Sequence, residues 1–172
     1  IGMVRNSGAA RSTALRGTLL GGVIGAVFLF AATRAGGVPR INDITTDTEQ
    51  PPRFVAAAKL PENAERDMTY PGPSFAEQQR KAYPDIAPLI LPISPAEAYA
   101  KVKEAAGATP NWTITRDEVA VFTLEGTETT PLFRFQDDFV IEVRPEVGGS
   151  AVHMRSKSRD GQGDTGTNAA RI

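Results

Sequence analysis

The 172-residue chain has no cysteine, which excludes disulfide staples, thiolate zinc sites and cysteine nucleophiles together. It has one histidine, so a multi-histidine metal site within one chain is impossible, and no metal is expected. Aromatic residues make up only 7%, too few for a stacking surface that would hold single-stranded nucleic acid. An excess of one charge is missing as well. Nineteen Lys and Arg stand against 20 Asp and Glu, a net of −1 that selects no partner.

The distribution of charge is more informative than its total. Residues 1–40 hold Arg5, Arg11, Arg16, Arg34 and Arg40 and no acid, a local charge of +5. This leaves 14 basic and 20 acidic residues in 41–172, a net of −6. Between the arginines, Gly17 to Thr33 is uncharged for 17 residues and mostly apolar. As a helix it spans about 25 Å, at the short end for a hydrocarbon core of roughly 30 Å. Three arginines precede the run and two follow, which places the N-terminus in the cytoplasm and the body outside it. A signal peptide is the rival reading, but Thr33-Arg34-Ala35 makes a poor cleavage site. Gly17, Gly21 and Gly25 share one helix face and suit close approach of a second helix. The chain starts at Ile1, so it reads as a fragment with room for more spans upstream.

The organisation expected is therefore a basic cytoplasmic segment (1–16), a transmembrane helix (17–34), a Pro-rich extended strap (35–92) and an α+β domain (93–172). Ten of the 13 prolines fall within 36–95, which forbids long helices and central strands there. Apolar residues such as Ile41, Ile44, Phe54, Ile90 and Leu91 argue against disorder and for a strap that docks on the domain. Phe75–Tyr83 reads as a short helix. Ser94-Pro95-Ala96-Glu97 is a capping box with proline at the first helical position, and Gly107 is placed to close that helix.

After Pro110 the apolar period falls to two. Trp112/Ile114, Ala120/Phe122/Leu124, Phe133/Phe135, Phe139/Ile141/Val143 and Val152/Met154 alternate with polar neighbours. With Gly148-Gly149 as a turn, this predicts an antiparallel sheet of about four strands with helices on one face, an α+β fold.

His153, Arg155, Lys157 and Arg159 share one face of the last strand, and Met154, Ser156 and Ser158 the other. Four potential cations in a row need acids or an anionic ligand opposite them. Glu125 and Glu142 are candidate neighbours in a salt-laced solvated face, and an anion-binding face is the alternative. Gly161-Gln162-Gly163-Asp164-Thr165-Gly166 satisfies G-x-G-x-x-G, but the strand before it is polar and only six residues follow it. No βαβ unit fits, so neither a dinucleotide nor any other cofactor is expected. Asp137-Asp138 reads as turn chemistry rather than an acid/base pair, and no nucleophile elbow accompanies His153.

Ile41-Asn42-Asp43-Ile44-Thr45-Thr46-Asp47, Pro51-Pro52-Arg53-Phe54, Tyr83-Pro84, Asp137-Asp138 and Arg155-Ser156-Lys157-Ser158-Arg159 followed by Asp164-Thr165-Gly166-Thr167-Asn168-Ala169-Ala170-Arg171-Ile172 together resemble the domain-of-unknown-function 1499 family. The resemblance covers roughly residues 40–172. It implies a related fold, an exported or membrane-attached protein, and a C-terminal helix of which this chain holds the first turn. It supplies no activity. The expectation is a protein of the inner (plasma) membrane with its C-terminal domain on the periplasmic side. That domain would bind an anionic small molecule, lipid head group or envelope protein, and no nucleic acid, through Arg155, Ser156, Ser158, Arg159, Asp164, Asn168 and Arg171. Two alternatives stand beside it: a hydrolase using Asp137, Asp138 or Asp164, and a purely structural role in which the same signature is an internal network.

Overall fold

In the computed structural model, residues 39–161, 163 and 166–172 are described. The run 17–34, read above as a transmembrane helix, and Asp164 lie outside them. Among the described residues no helix is long and apolar enough to cross a membrane.

The strands are β1 (Asp43–Thr45), β2 (Leu89–Leu91), β3 (Trp112–Glu118), β4 (Thr123–Thr129), β5 (Gln136–Glu146) and β6 (Gly149–Ser158). The helices are α1 (Pro73–Ala82), α2 (Pro95–Ala108) and α3 (Thr167–Arg171). The fold is α+β, and every strand pair in its sheet is antiparallel. β3 to β6 form a meander, and β1 and β2 lie end to end along the outer edge of β6. The sheet thus has six strands rather than about four. The two extra ones come from the Pro-rich strap, where three-residue segments between the prolines pair with an edge that would otherwise be open. The outer side of β1 is closed in turn by a side chain. Gln79 of α1 accepts from the Thr45 N–H at 3.0 Å and donates to the Thr45 carbonyl at 2.6 Å, as a neighbouring strand would.

Helix α2 begins with the capping box expected of it. Ser94 Oγ accepts from the Glu97 N–H, and the Glu97 carboxylate accepts from the Ser94 N–H. It runs through Gly107 and ends at Ala108, so that glycine does not close it. Tyr99, Ala98 and Ala106 pack on Leu124, Phe139, Ile141, Val143 and Met154, which form the apolar face of the sheet. The Tyr99 hydroxyl bonds Asp117 and the Thr123 carbonyl, both at 2.8 Å, pinning α2 to β3 and β4. Burial and the Asp117 bond push the Tyr99 phenol well above its ordinary pKa.

Two other alternations resolve differently. Val119–Val121 is a single 3-10 turn, and Phe122 takes a left-handed conformation (φ 50°) before β4 begins. Phe133 and Phe135 belong to the loop joining β4 to β5, because Pro131 has no N–H for a ladder and Arg134 turns left-handed (φ 58°). The β5–β6 turn falls at Val147-Gly148, with Gly148 at φ 83°.

The second face of the sheet is also covered. The strap crosses it as two 3-10 turns, Ala57–Lys59 and Pro61–Asn63, and packs Phe54, Ala57, Leu60 and Met68 around Val140. The sheet is therefore sandwiched between α2 and α3 on one side and irregular chain on the other.

Candidate functional site

Alternation along β6 aims His153, Arg155 and Lys157 at the strap, and Arg159 follows just beyond the strand end. Instead of a solvated row they form the floor of the strap. Arg155 is only 1% exposed. Its Nε and Nη2 donate to the two carboxylate oxygens of Asp43 at 2.8 and 2.7 Å. Its remaining donors reach the carbonyls of Pro52 and Met68, both at 3.1 Å. The guanidinium lies 4.7 Å from the Phe54 ring centroid and 5.5 Å from that of Tyr70. Lys157 Nζ donates to the same Asp43 at 3.0 Å. The partner of Arg155 and Lys157 is thus Asp43 of β1, not Glu125 or Glu142.

The neighbouring strands repeat the pattern. Arg159 donates to both oxygens of Asp138 at 2.9 and 2.6 Å, which raises its pKa further above the ordinary arginine value. Asp138 also accepts from the Thr127 hydroxyl and the Asn63 amide, each at 2.8 Å. Glu125 is fully buried and accepts the backbone N–H groups of Val55, Ala56 and Ala57 at 3.0–3.1 Å, plus Arg116 Nη1 at 3.2 Å. A buried carboxylate is tolerated only with such a set of donors. His153 is buried beside Arg144, and both the burial and that cation lower its pKa, with Asp47, Glu142 and Glu146 acting against them. It is held mostly neutral at pH 7.

Ser156 and Ser158 face the other way. The Ser156 hydroxyl donates to Asn168 Oδ1 at 2.6 Å, and Asn168 Nδ2 donates to Ser158 Oγ at 2.8 Å. Arg171 donates to Asp137 at 2.6 Å, to Asn168 Oδ1 at 2.8 Å, and to Ser156 and Glu128. The signature read along the sequence therefore divides between two faces. Arg155 and Arg159 join the strap side, while Ser156, Ser158, Asn168 and Arg171 tie α3 to the sheet. Asp137 and Asp138 lie inside β5 rather than in a turn. They project to opposite faces, each held by its own arginine. Among the described residues no group of His, Asp and Glu has the makings of a metal site.

One opening reaches the ionic floor. A groove of about 1040 Å³ runs under the strap, lined among others by Arg53, Phe54, Arg66, Tyr70, Glu142 and Arg155. Arg66 is fixed by Asn63 Oδ1 at 2.8 Å and by the Ser158 carbonyl; burial lowers its pKa, with Asp138 the main opposing influence. Arg53 is exposed, and among the described residues no acceptor holds its guanidinium. Burial pushes the Tyr70 phenol up to about 12, so it is a proton donor at neutral pH. Pattern reading did not single out Asp43, Asn63 or Tyr70 as working residues, and it placed Glu125 on a solvated face where the structure buries it under the strap. For Asp43 the hint was its place in the 41–54 stretch that carries the family resemblance, since the partners in this network lie some 70 to 110 positions apart.

Comparison with known proteins supports the same boundaries. No curated protein matches the chain. The family model described as "Protein of unknown function (DUF1499)" matches residues 43–172, from the first residue of β1 to the end of the chain. With its ionic floor, both strands of the strap and the C-terminal helix inside that span, the chain belongs to the DUF1499 family.

Proposed function

We propose that this is a non-catalytic binding domain of the cell envelope, tethered to the inner membrane by residues 17–34 and held on the periplasmic side. Its ligand is an anionic small molecule or lipid head group, seated in the groove under the strap. The observation that carries this reading is the groove itself. A cavity of about 1040 Å³ is of the size that small-molecule sites occupy, and it combines aromatic walls with a few convergent polar groups. Arg53 is the arginine there whose guanidinium is held by no acceptor among the described residues, and a guanidinium suits planar oxyanions. Arg155 reaches the groove with its donors already used by Asp43 and the strap, so it shapes the floor and sets the local field. Arg159, Ser156, Ser158, Asn168 and Arg171 act one layer further back, by holding β6 and α3.

A hydrolase using Asp137 and Asp138 finds no support in their geometry, since each is buried and neutralised by an arginine. The structural alternative draws on the internal bonding of the signature. One experiment separates it from binding. The full-length chain is purified from membranes and its co-purifying small molecules are read by mass spectrometry, beside Arg53→Ala. An anionic species retained by the wild type and depleted in Arg53→Ala, with circular dichroism unchanged, supports binding. Absence of any retained species, or equal retention by both proteins, sinks the binding reading.

A further inference from the structure

Among the described residues, the tip of the β4–β5 hairpin gathers three large exposed apolar side chains. Leu132, Phe133 and Phe135 are 80%, 70% and 52% exposed, side by side on one short loop. The two phenyl rings stack at 5.6 Å. Adjacent large side chains in water cost free energy without return, and such patches mark contact surfaces. The loop is also built to hold them out. The Thr130 N–H donates to the Phe135 carbonyl at 2.8 Å, the Arg134 N–H to the Thr130 carbonyl at 3.1 Å, and the Phe135 N–H to Thr130 Oγ1 at 2.9 Å. The left-handed Arg134 completes this closed turn, so little order has to be gained on contact.

Charge decides what the tip meets. From Thr129 to Phe135 there is one cation, the exposed Arg134, and no acid. Two phenylalanines and a leucine around a single arginine match the interfacial layer of an anionic bilayer. There aromatic rings sit at head-group level and a long cationic side chain reaches the phosphates. We infer that Leu132–Phe135 dips into the surface of a lipid bilayer, making a second membrane contact besides the tether. The inference rests on the tether reading for the nearness of a bilayer. The contact is shallow, because the internal bonds of the turn satisfy only part of its backbone.

The absence of cysteine makes the test direct. Phe133→Cys and Val147→Cys each carry one NBD label on the full-length chain, reconstituted in vesicles containing phosphatidylglycerol. Val147 is 96% exposed at the other end of β5, about 35 Å away along an 11-residue strand, and controls for insertion by the label itself. The expected result is quenching at position 133 by nitroxide-bearing lipids with protection from aqueous iodide, and the reverse at 147. Adding Leu132→Asp to the 133-labelled chain lowers the ratio of lipid to iodide quenching at least about tenfold, the factor that burial of one large apolar side chain provides. Equal iodide access at 133 and 147 overturns the inference. So does protection at 133 that persists without lipid and rises with protein concentration, which assigns the patch to a second copy of the chain. Carbonate extraction of the same vesicles reads the tether separately: a chain that resists extraction yet shows no lipid quenching at 133 refutes the tip alone.

Discussion

Asp43 joins the first strand of the fold to its last. It is fully buried and accepts from both Arg155 and Lys157, linking β1 to β6 and to the strap carbonyls that Arg155 also holds. A buried pair contributes little net stability over an apolar pair of the same shape, but removal of one partner leaves a charge with nothing to offset its desolvation. Asp43→Ala is therefore expected to cost about 3–5 kcal/mol in urea unfolding. Asp43→Leu combined with Arg155→Met should cost clearly less than the sum of the two single changes. Additive costs would show that the pair is not coupled. The arginine row was legible in the alternation of 153–159, and so was its need for counter-charges. The identity of those counter-charges was not, because Asp43 lies 112 positions from Arg155 and no local pattern records that distance.

At the level of elements, local signals were read well where local physics decides. The capping box of α2, the strands of the meander and the glycine turn between β5 and β6 all follow from short-range chemistry. The reading failed where an apolar alternation met no core, as at Phe133 and Phe135, and where proline density hid strands only three residues long. β2 shows why such short strands persist. Gly149, its neighbour at the start of β6, lies so close that a Cβ there would come 2.0 Å from the Leu91 carbonyl oxygen. Backbone cannot yield as a side-chain tip does. Gly149→Ala should thus detach β2 from β6 at a cost on the order of 1–3 kcal/mol. Amide exchange should rise across Leu89–Leu91 and Ser150–Val152 while Asp43–Thr45 keeps its protection. Uniform protection after the substitution would mean that the close approach is not what holds the pairing.

For the whole molecule, the strap docks as its apolar residues suggest, and it also builds part of the sheet. A proline-rich stretch invites description as a spacer, but residues 43–91 supply two strands, one helix and the cover of the second sheet face. Without them Arg155, Lys157, Glu125 and Asp138 would be charges on an open surface, and Val140 would lose its packing. A chain starting at Pro39, where the compact unit begins, is expected to fold cooperatively. One starting at Ile93 should show neither a sharp thermal transition nor dispersed amide resonances. Independent folding of the shorter chain would return the strap to the status of a spacer.

The bonds that close the sheet join the beginning of this unit to its end. Asp43 meets Arg155, and the Asn42 side chain donates to the Gly161 carbonyl while the Asn42 backbone carbonyl accepts from Asn168 Nδ2. A nascent chain emerging N-terminus first carries its acids long before their arginines exist, and long-range pairings of this kind are slow to form. The order of synthesis therefore leaves Asp43 without its cationic partners until β6 has been made. The same ion pairs that lock the finished domain thus also set the moment at which its sheet can first close.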